Sequence, residues 1–218
     1  MPDPLVLAAD VETELVERRS RFLTRLHRVE SLEQADAFLR TARADHPDAR
    51  HRCTALVIGE RESSPPVHRS SDDGEPSGTA GMPMLQALLH AGLTDTLAIV
   101  IRYFGGVKLG AGGLLRAYTA GVEQAVAAST LLRRRELRQM RLDVPFAEAG
   151  IAENAVRRFA EGREATTLPT EYGARHAALS LLIDPALEQE LAADIAAWSQ
   201  GRLSPERVGS RTVDLPLP

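Results

Sequence analysis

The segment between residues 102 and 118 limits the fold of this chain more than any other stretch of its 218 residues. It reads RYFGGVKLGAGGLLRAY, and it joins an apolar run typical of a strand to a run typical of a helix. Because glycine has no Cβ, its backbone can adopt positive φ angles and lie close to another surface. The pattern therefore predicts a tight strand-to-helix connection. The five glycines are Gly105, Gly106, Gly110, Gly112 and Gly113.

The same segment carries three cations, and exposed N–H groups that open a helix beside positive charge suit an anion such as phosphate. The alternative is that the glycines only let the connection pack closely. The spacing matches neither the dinucleotide fingerprint nor the P-loop, since Leu109 follows Lys108 where a P-loop has a hydroxyl. Nucleotide hydrolysis is therefore not predicted. The candidate binding residues of this segment are its five glycines together with Arg102, Tyr103, Lys108, Arg116 and Tyr118.

A second segment, SDDGEPSGTAGMP at residues 71–83, combines an acidic cluster with glycines and hydroxyls. One interpretation is binding of a hard cation, or general acid–base chemistry by a carboxylate of raised pKa. The other is a turn-rich loop whose polar side chains cap their own backbone. The spacing does not fit an EF-hand, and we predict neither a metal nor a cofactor. The candidate binding residues here are Asp72, Asp73, Glu75, Ser77 and Thr79.

His51 and Cys53 form a third, smaller group. They could be a metal-binding pair or a cysteine–histidine nucleophile, yet metal sites normally have more ligands at recognisable spacing. Cys53 is the only cysteine, so no internal disulfide can form and a reducing compartment is expected. We predict that Cys53 is a small buried side chain. His51, beside the acidic segment, stays a candidate binding residue.

Composition excludes several classes of protein. With 44% hydrophobic residues the chain can bury an ordinary core, and its net charge of -4 excludes a generally basic nucleic-acid binder. Contact with a polyanion would have to use a local basic patch. The N-terminal sequence has no signal-peptide pattern, and no apolar run is long enough to cross a bilayer. A soluble cytoplasmic protein without membrane contact is expected.

The spacing of apolar and turn-forming residues predicts helices and strands in the first part of the chain. The strand before the glycine-rich segment is expected to be buried on both faces. The predicted elements are strands at Val11–Glu17 and Phe22–Val29, a helix from Ser31 to His46, a strand at Cys53–Ile58, a long loop at Glu60–Gly81, a helix at Pro83–Leu89, a strand at Thr96–Arg102 and a helix at Leu114–Ser129.

The arginine run Arg133–Arg135 is interpreted as a solvated linker at a domain boundary. Beyond it, the pattern predicts β-α-β-β-α-β, the split βαβ order of ferredoxin-like domains. The predicted elements are a strand at Gln139–Phe146, a helix at Glu148–Ala160, strands at Ala165–Tyr172 and Ala177–Ile183, a helix that begins at Asp184-Pro185, and a strand at Arg207–Leu215.

Four sequence motifs resemble those of the YigZ/IMPACT family, which includes bacterial YigZ proteins and the eukaryotic translation regulator IMPACT. They are SRF at residues 20–22, His51 with Cys53, SDDGEPSGTAGMP at residues 71–83, and RYFGGVKLGAGGLLRAY at residues 102–118. The resemblance implies an α+β fold. Residues 1–132 would form a domain like the second domain of ribosomal protein S5, and residues 138–216 a ferredoxin-like domain akin to the last domain of elongation factor G.

The resemblance also implies a role in translation, since the eukaryotic relative regulates initiation through a protein partner. We expect a non-enzymatic, monomeric regulator that contacts RNA (tRNA or rRNA) or a ribosome-associated protein through the glycine-rich basic loop beside the acidic loop. One alternative is an enzyme that acts on a phosphorylated or nucleotide-like substrate with Asp72, Asp73 and Glu75. The other is a purely protein-binding adaptor. Both alternatives stay open from sequence, because likeness of fold does not by itself define function.

Overall fold

The apolar strand that precedes the glycine-rich segment lies in the middle of a five-stranded antiparallel sheet. The computed structural model describes residues 3–59 and 65–217. The first six strands of the chain are β1 (Leu5–Leu7), β2 (Val11–Glu17), β3 (Ser20–Arg28), β4 (His51–Ile58), β5 (Val67–Ser71) and β6 (Thr96–Tyr103). The order of strands in this sheet is β2-β3-β6-β4-β5.

Helices cover both faces of this sheet. The first three helices are α1 (Leu32–Asp45), α2 (Gly81–His90) and α3 (Ala111–Ala127). Successive side chains of a strand point to opposite faces. Ile99 and Ile101 of β6 therefore belong to the core that includes α1, whereas Ala98 and Val100 belong to the core that includes α2 and α3. The prediction that this strand is buried on both faces is confirmed.

Helix α1 and helix α3, which follows the glycine-rich segment, are both present. The sequence predicts the start of α1 correctly and places the start of α3 too late. The Ser31 Oγ accepts a hydrogen bond from the Gln34 N–H at 3.3 Å and caps α1, as its sequence signature predicts. α3 begins at Ala111, earlier than the predicted Leu114. The reason is that glycine is a poor helix former, so the sequence pattern becomes helical only after Gly113.

The long loop predicted at Glu60–Gly81 is wrong for Val67–Ser71, which forms β5 and pairs with β4. β5 lies at the edge of the sheet, and all its residues after Val67 are exposed. An edge strand of this kind lacks the apolar alternation by which strands are recognised. Residues 60–64 of the predicted loop lie outside the described residues.

The second half of the chain has the predicted β-α-β-β-α-β order, except that the strand predicted at Ala165–Tyr172 is interrupted and forms two short strands, Ala165–Thr167 and Glu171–Tyr172. Strands β7 (Leu131–Pro145) and β10 (His176–Ile183) lie side by side and antiparallel, flanked by β11 (Glu206–Pro216) and β8 (Ala165–Thr167). This is the ferredoxin-like arrangement, so the predicted α+β fold class is confirmed. The elements are β7 (Leu131–Pro145), α4 (Ala149–Ala160), β8 (Ala165–Thr167), β9 (Glu171–Tyr172), β10 (His176–Ile183), α5 (Glu188–Ser199) and β11 (Glu206–Pro216).

The arginine run is part of strand β7, so its interpretation as a solvated linker is wrong. Arg134 forms ion pairs with Asp95 and Asp214, and Arg135 forms ion pairs with Glu164 and Asp184. The carboxylates that neutralise these cations are distant in sequence, which is why the run resembles a solvated segment. The chain divides at this run into one unit of residues 1–134 with 214–218 and another of residues 135–213.

In the described part of the chain, no helix has both the length and the apolar content needed to span a membrane.

Candidate anion-binding site

Strand alternation decides which side chains of β6 and β4 reach the α3 side of the sheet. Arg102 continues the series of Ala98 and Val100 toward α2 and α3, and its neighbour across the ladder is His51 of β4. Tyr103 belongs to the opposite core, where its hydroxyl lies 2.8 Å from the His46 Nδ1. Arg102 and His51 therefore share one side of the sheet, and Tyr103 lies on the other.

A buried network joins the acidic loop to β6 and α3. The Glu75 Oε1 accepts a hydrogen bond from the Arg102 Nη1 at 2.6 Å and another from the Tyr118 hydroxyl at 2.8 Å. The Glu75 and Arg102 side chains are only 4% and 7% exposed. The Cys53 thiol lies 3.3 Å from the Tyr118 hydroxyl. The acidic loop and the glycine-rich segment are thus brought together, with the charges of Glu75 and Arg102 neutralising each other.

Burial keeps the thiol and the phenol of this network protonated. Burial raises the pKa of the Cys53 thiol to about 12 against the opposing hydrogen bond of Tyr118, and the nearby carboxylates add smaller contributions in the same direction as burial. Burial also raises the pKa of Tyr118, reinforced by Cys53 and Glu75. A thiol that stays protonated at neutral pH is a poor nucleophile. The prediction that Cys53 is a small buried side chain is confirmed.

The other two carboxylates of the acidic loop bind backbone N–H groups. Asp72 accepts hydrogen bonds from Gly78, Ala80 and Gly81 at 2.8, 3.0 and 2.8 Å. Asp73 accepts a hydrogen bond from the Arg52 N–H at 2.7 Å. The structure therefore shows the self-capped loop that was one of the two interpretations of this segment.

These N–H donors make the stability of the loop depend on the ionisation of Asp72. Burial by itself would raise the pKa of Asp72, but the three N–H donors together outweigh burial and lower it. A lowered pKa means that the carboxylate stabilises the fold above its ordinary pKa of about 3.9. That stabilisation is lost as the pH falls through the lower value of the folded state.

We expect Asp72→Asn to reduce the free energy of unfolding by about 1–3 kcal/mol at neutral pH, because the amide turns an N–H donor toward backbone donors. The difference from the wild type should shrink at about pH 3 and below, where the wild-type carboxylate is itself becoming protonated. Urea unfolding followed by far-UV circular dichroism measures both quantities. Asp36→Asn, on the exposed face of α1, is the matched control. A difference independent of pH would contradict this account.

A pocket of about 340 Å³ opens between the acidic loop and the glycine-rich segment. Its lining includes two exposed cations, Arg50 and Lys108, and neither has an acidic partner within residues 3–59 and 65–217. Arg116 is likewise exposed on α3 and unpaired in the described ranges, but it does not line the pocket. The pocket is therefore basic although the chain as a whole is acidic.

The N-terminus of α3 also borders this pocket. The N-cap residue Gly110 and the first helical residue Ala111 belong to the lining, and no side chain among the described residues caps the helix. Gly110 has a φ of +73°, a conformation that side-chain-bearing residues rarely adopt, and this turn directs the chain from the loop into the helix. The N–H groups of the first turn, including those of Gly112 and Gly113, lack intrahelical acceptors. Such a terminus attracts negative charge.

The hydrogen bonding of His51 defines which of its ring nitrogens is available to a ligand. Its Nδ1 lies 2.9 Å from the Asp73 carbonyl oxygen, which can only accept, so Nδ1 carries the proton. The Nε2 has no hydrogen-bond partner among the residues that the structure describes, and His51 lines the pocket. His51 can therefore contact a ligand through Nε2.

The remaining predicted site residues lie near the pocket but do not line it. Ser77 is exposed on the acidic loop, and the Thr79 hydroxyl donates to the Pro76 carbonyl oxygen at 2.6 Å. Gly105 and Gly106 form the turn after β6 and do not line the pocket. Arg50 and Phe104 line it but were not among the predicted site residues. Two features of the sequence could have indicated them, since Arg50 directly precedes His51 and Phe104 lies inside the glycine-rich segment.

Comparisons with known proteins agree with this fold. The family model of the Impact N-terminal domain matches residues 18–126. IMPACT family member YvyE of Bacillus subtilis (strain 168) is 42% identical over 146 residues, which are 67% of this chain and 66% of the relative. IMPACT family member YigZ of Escherichia coli (strain K12) is 44% identical over 142 residues, which are 65% of this chain and 69% of the relative. A crystal structure of a hypothetical protein, 36% identical, has a TM-score of 0.58 and covers 95% of this chain and 98% of that one.

The chain is a two-unit α+β protein with a basic pocket beside a self-capped acidic loop. The chain belongs to the IMPACT family, since the family model matches half of its length and curated relatives exceed 40% identity. The predicted family resemblance is confirmed. The alignments span about two thirds of the length of these relatives.

Proposed function

We propose that this chain is a cytoplasmic, translation-associated regulator that binds RNA phosphates at the basic pocket. One observation carries the proposal: the exposed cations Arg50 and Lys108 line a pocket together with the uncapped N-terminus of α3. Neither cation has an acidic partner among the described residues. Membership of the IMPACT family supports the link to translation, because the resemblance extends to a eukaryotic translation regulator.

The distribution of charge supports a polyanion as the ligand. Many arginines of the first unit are paired with carboxylates, as Arg21 is with Glu14 and Arg25 with Glu12. The cations of the pocket are not paired in this way within the described ranges, and Arg116 adds a further unpaired charge on the exposed face of α3. Cations left without partners attract phosphates. The net charge of -4 confines such binding to this local surface.

The bonding of the acidic loop favours binding over catalysis by its carboxylates. Asp72 and Asp73 accept hydrogen bonds from backbone N–H groups, and Glu75 accepts hydrogen bonds from the Arg102 and Tyr118 side chains. A general acid or base must exchange a proton with a substrate. All three carboxylates instead hold the loop in place, so the pocket presents cations and N–H groups to a ligand.

The Arg50→Ala/Lys108→Ala double variant tests the proposal with a labelled short oligouridylate and fluorescence anisotropy. If each cation binds one phosphate, removing both should lower affinity by about 10- to 30-fold at about 0.1 M salt. The slope of log affinity against log salt should become shallower by about 0.7 for each phosphate that is no longer neutralised.

The control is Arg40→Ala/Arg158→Ala, which removes the same charge from exposed positions on α1 and α4. It should change affinity much less, because these cations do not line the pocket. Equal effects of the two double variants would indicate a nonspecific charge effect and reject the pocket. An unchanged affinity and salt slope in Arg50→Ala/Lys108→Ala would reject RNA binding at this site.

A further inference from the structure

Phe104 lines the pocket, and the binding of phosphates makes no use of it. The residue is 51% exposed. The guanidinium carbon of Arg102 lies 5.7 Å from the Phe104 ring centroid, within the range of a cation–π contact. Arg102 is itself buried and paired with Glu75, so the guanidinium beside the phenyl ring is held in place. The exposed part of the ring is left for a ligand.

The lining of the pocket combines apolar and basic groups. Leu109, Leu114 and Pro76 join Phe104 on the apolar part, and Arg50 and Lys108 supply positive charge. A free phosphate would satisfy the cations but would leave the apolar surface exposed to water. A ligand with both a flat apolar part and a negative part would cover the whole lining.

We propose that the pocket holds one unpaired nucleotide of the RNA, with its base stacked on Phe104 and its phosphate beside Lys108 and the N-terminus of α3. This inference rests on the proposed function, because it identifies which part of an RNA enters the same site. Every base has a π-face, so stacking on an aromatic side chain favours single strands with little preference for sequence. The bases of a duplex are already stacked on each other and cannot cover Phe104.

Two further observations agree with a single nucleotide. The pocket volume of about 340 Å³ lies at the lower end of the range of about 300–1,000 Å³ for small-molecule sites. Arg102 lines this pocket, and its buried Nε has no hydrogen-bond acceptor in the described part of the chain. Buried donors are nearly always satisfied, so an acceptor on the ligand would complete the bonding of this guanidinium.

The test compares Phe104→Ala, Phe104→Leu and Phe104→Trp in the intact two-unit chain. The probes are a labelled short oligouridylate, an abasic ribose-phosphate oligomer of equal length, and the oligouridylate paired with its complement. Loss of stacking on one base should weaken binding of the oligouridylate by about 5- to 150-fold in Phe104→Ala. Phe104→Leu should be nearly as weak, since leucine keeps apolar volume but has no ring, and Phe104→Trp should bind as well as the wild type or better.

The abasic oligomer and the duplex should bind wild type and Phe104 variants alike. The matched control is Val107→Ala, because Val107 is exposed in the same segment and does not line the pocket. If Phe104→Ala leaves the affinity for oligouridylate unchanged, or weakens all probes equally, base stacking is rejected. If Arg50→Ala/Lys108→Ala also leaves every probe unaffected, the proposed function itself fails. Loss of affinity in that double variant alone would retain the phosphate site without a base site.

Discussion

Gly105→Ala is expected to lower the free energy of unfolding of the first unit by about 3 kcal/mol or more, at or beyond the upper end of overpacking effects. A Cβ at Gly105 would lie 2.0 Å from the carbonyl carbon and oxygen of Arg19 and 2.5 Å from the Ser20 nitrogen. These are backbone atoms, so no side-chain rotation relieves the clash. Arg18 and Arg19 form the tight turn between β2 and β3, both with positive φ, which leaves this backbone little room to move.

Gly112→Ala is the matched control in the same segment. A Cβ at Gly112 would lie 3.6 Å from the Arg116 Nη1, which is an ordinary contact with a flexible side chain. Because Gly112 is in the first turn of α3 without a positive φ, alanine should leave stability unchanged or raise it by up to about 1 kcal/mol. Equal stability of the two variants would contradict the packing of Gly105 on the β2–β3 turn.

Amide hydrogen exchange on peptides of β3 and β6 is the measurement for this pair of variants. It reports the first unit directly, whereas the single tryptophan, Trp198, is in α5 of the second unit and its fluorescence does not. Gly105→Ala should lower protection in both strands, and Gly112→Ala should not.

Arg102→Met is expected to destabilise the first unit by about 3–5 kcal/mol, because it leaves the Glu75 carboxylate buried without its cation. Tyr118 would remain as a hydrogen-bond donor to Glu75, but it brings no positive charge. The size of this effect reflects the unpaired charge that remains, rather than a large net stabilisation by the intact pair. Hydrogen exchange on β6 and α3 peptides measures the decrease in stability.

The double variant Glu75→Gln/Arg102→Met separates this explanation from a simple packing defect. Once the negative charge is removed as well, a substantial part of the stability should return. Arg40→Met, which replaces an exposed arginine on α1, should have little effect and serves as the control. A double variant no more stable than Arg102→Met would show that packing of the guanidinium on Phe22 and Phe104, and not charge pairing, dominates.

Several elements of the fold follow from local sequence pattern. The strand before the glycines, the cap at Ser31 and the β-α-β-β-α-β order of the second unit are all in place. Each depends on interactions within a few residues or on the burial of a periodic face. The edge strand β5 and the strand residues of the arginine run were not predicted. Both are polar, and they become strands only through pairing with chain segments distant in sequence.

The candidate site shows the same division between local and distant information. Sequence motifs indicated the glycine-rich segment and the acidic loop as parts of one site, with His51 as a neighbour. They did not show that Glu75 neutralises Arg102, or that Arg50 and Phe104 line the pocket. Charge pairing and exposure depend on which atoms approach each other in three dimensions, and residue type alone does not decide them.

The amino-acid sequence by itself therefore determines the α+β class, the family and the two loops that meet at the pocket. The reason is that backbone preferences and sequence motifs are local properties of the chain. The folded chain decides how the charges of those loops are used. Alternation along β6 turns Arg102 inward to Glu75 and Tyr103 to the opposite core. Lys108, in the loop beyond the strand, stays exposed and unpaired within the described residues. One cation of the glycine-rich segment is thus neutralised inside the fold, and another is the cation that we propose contacts a ligand phosphate.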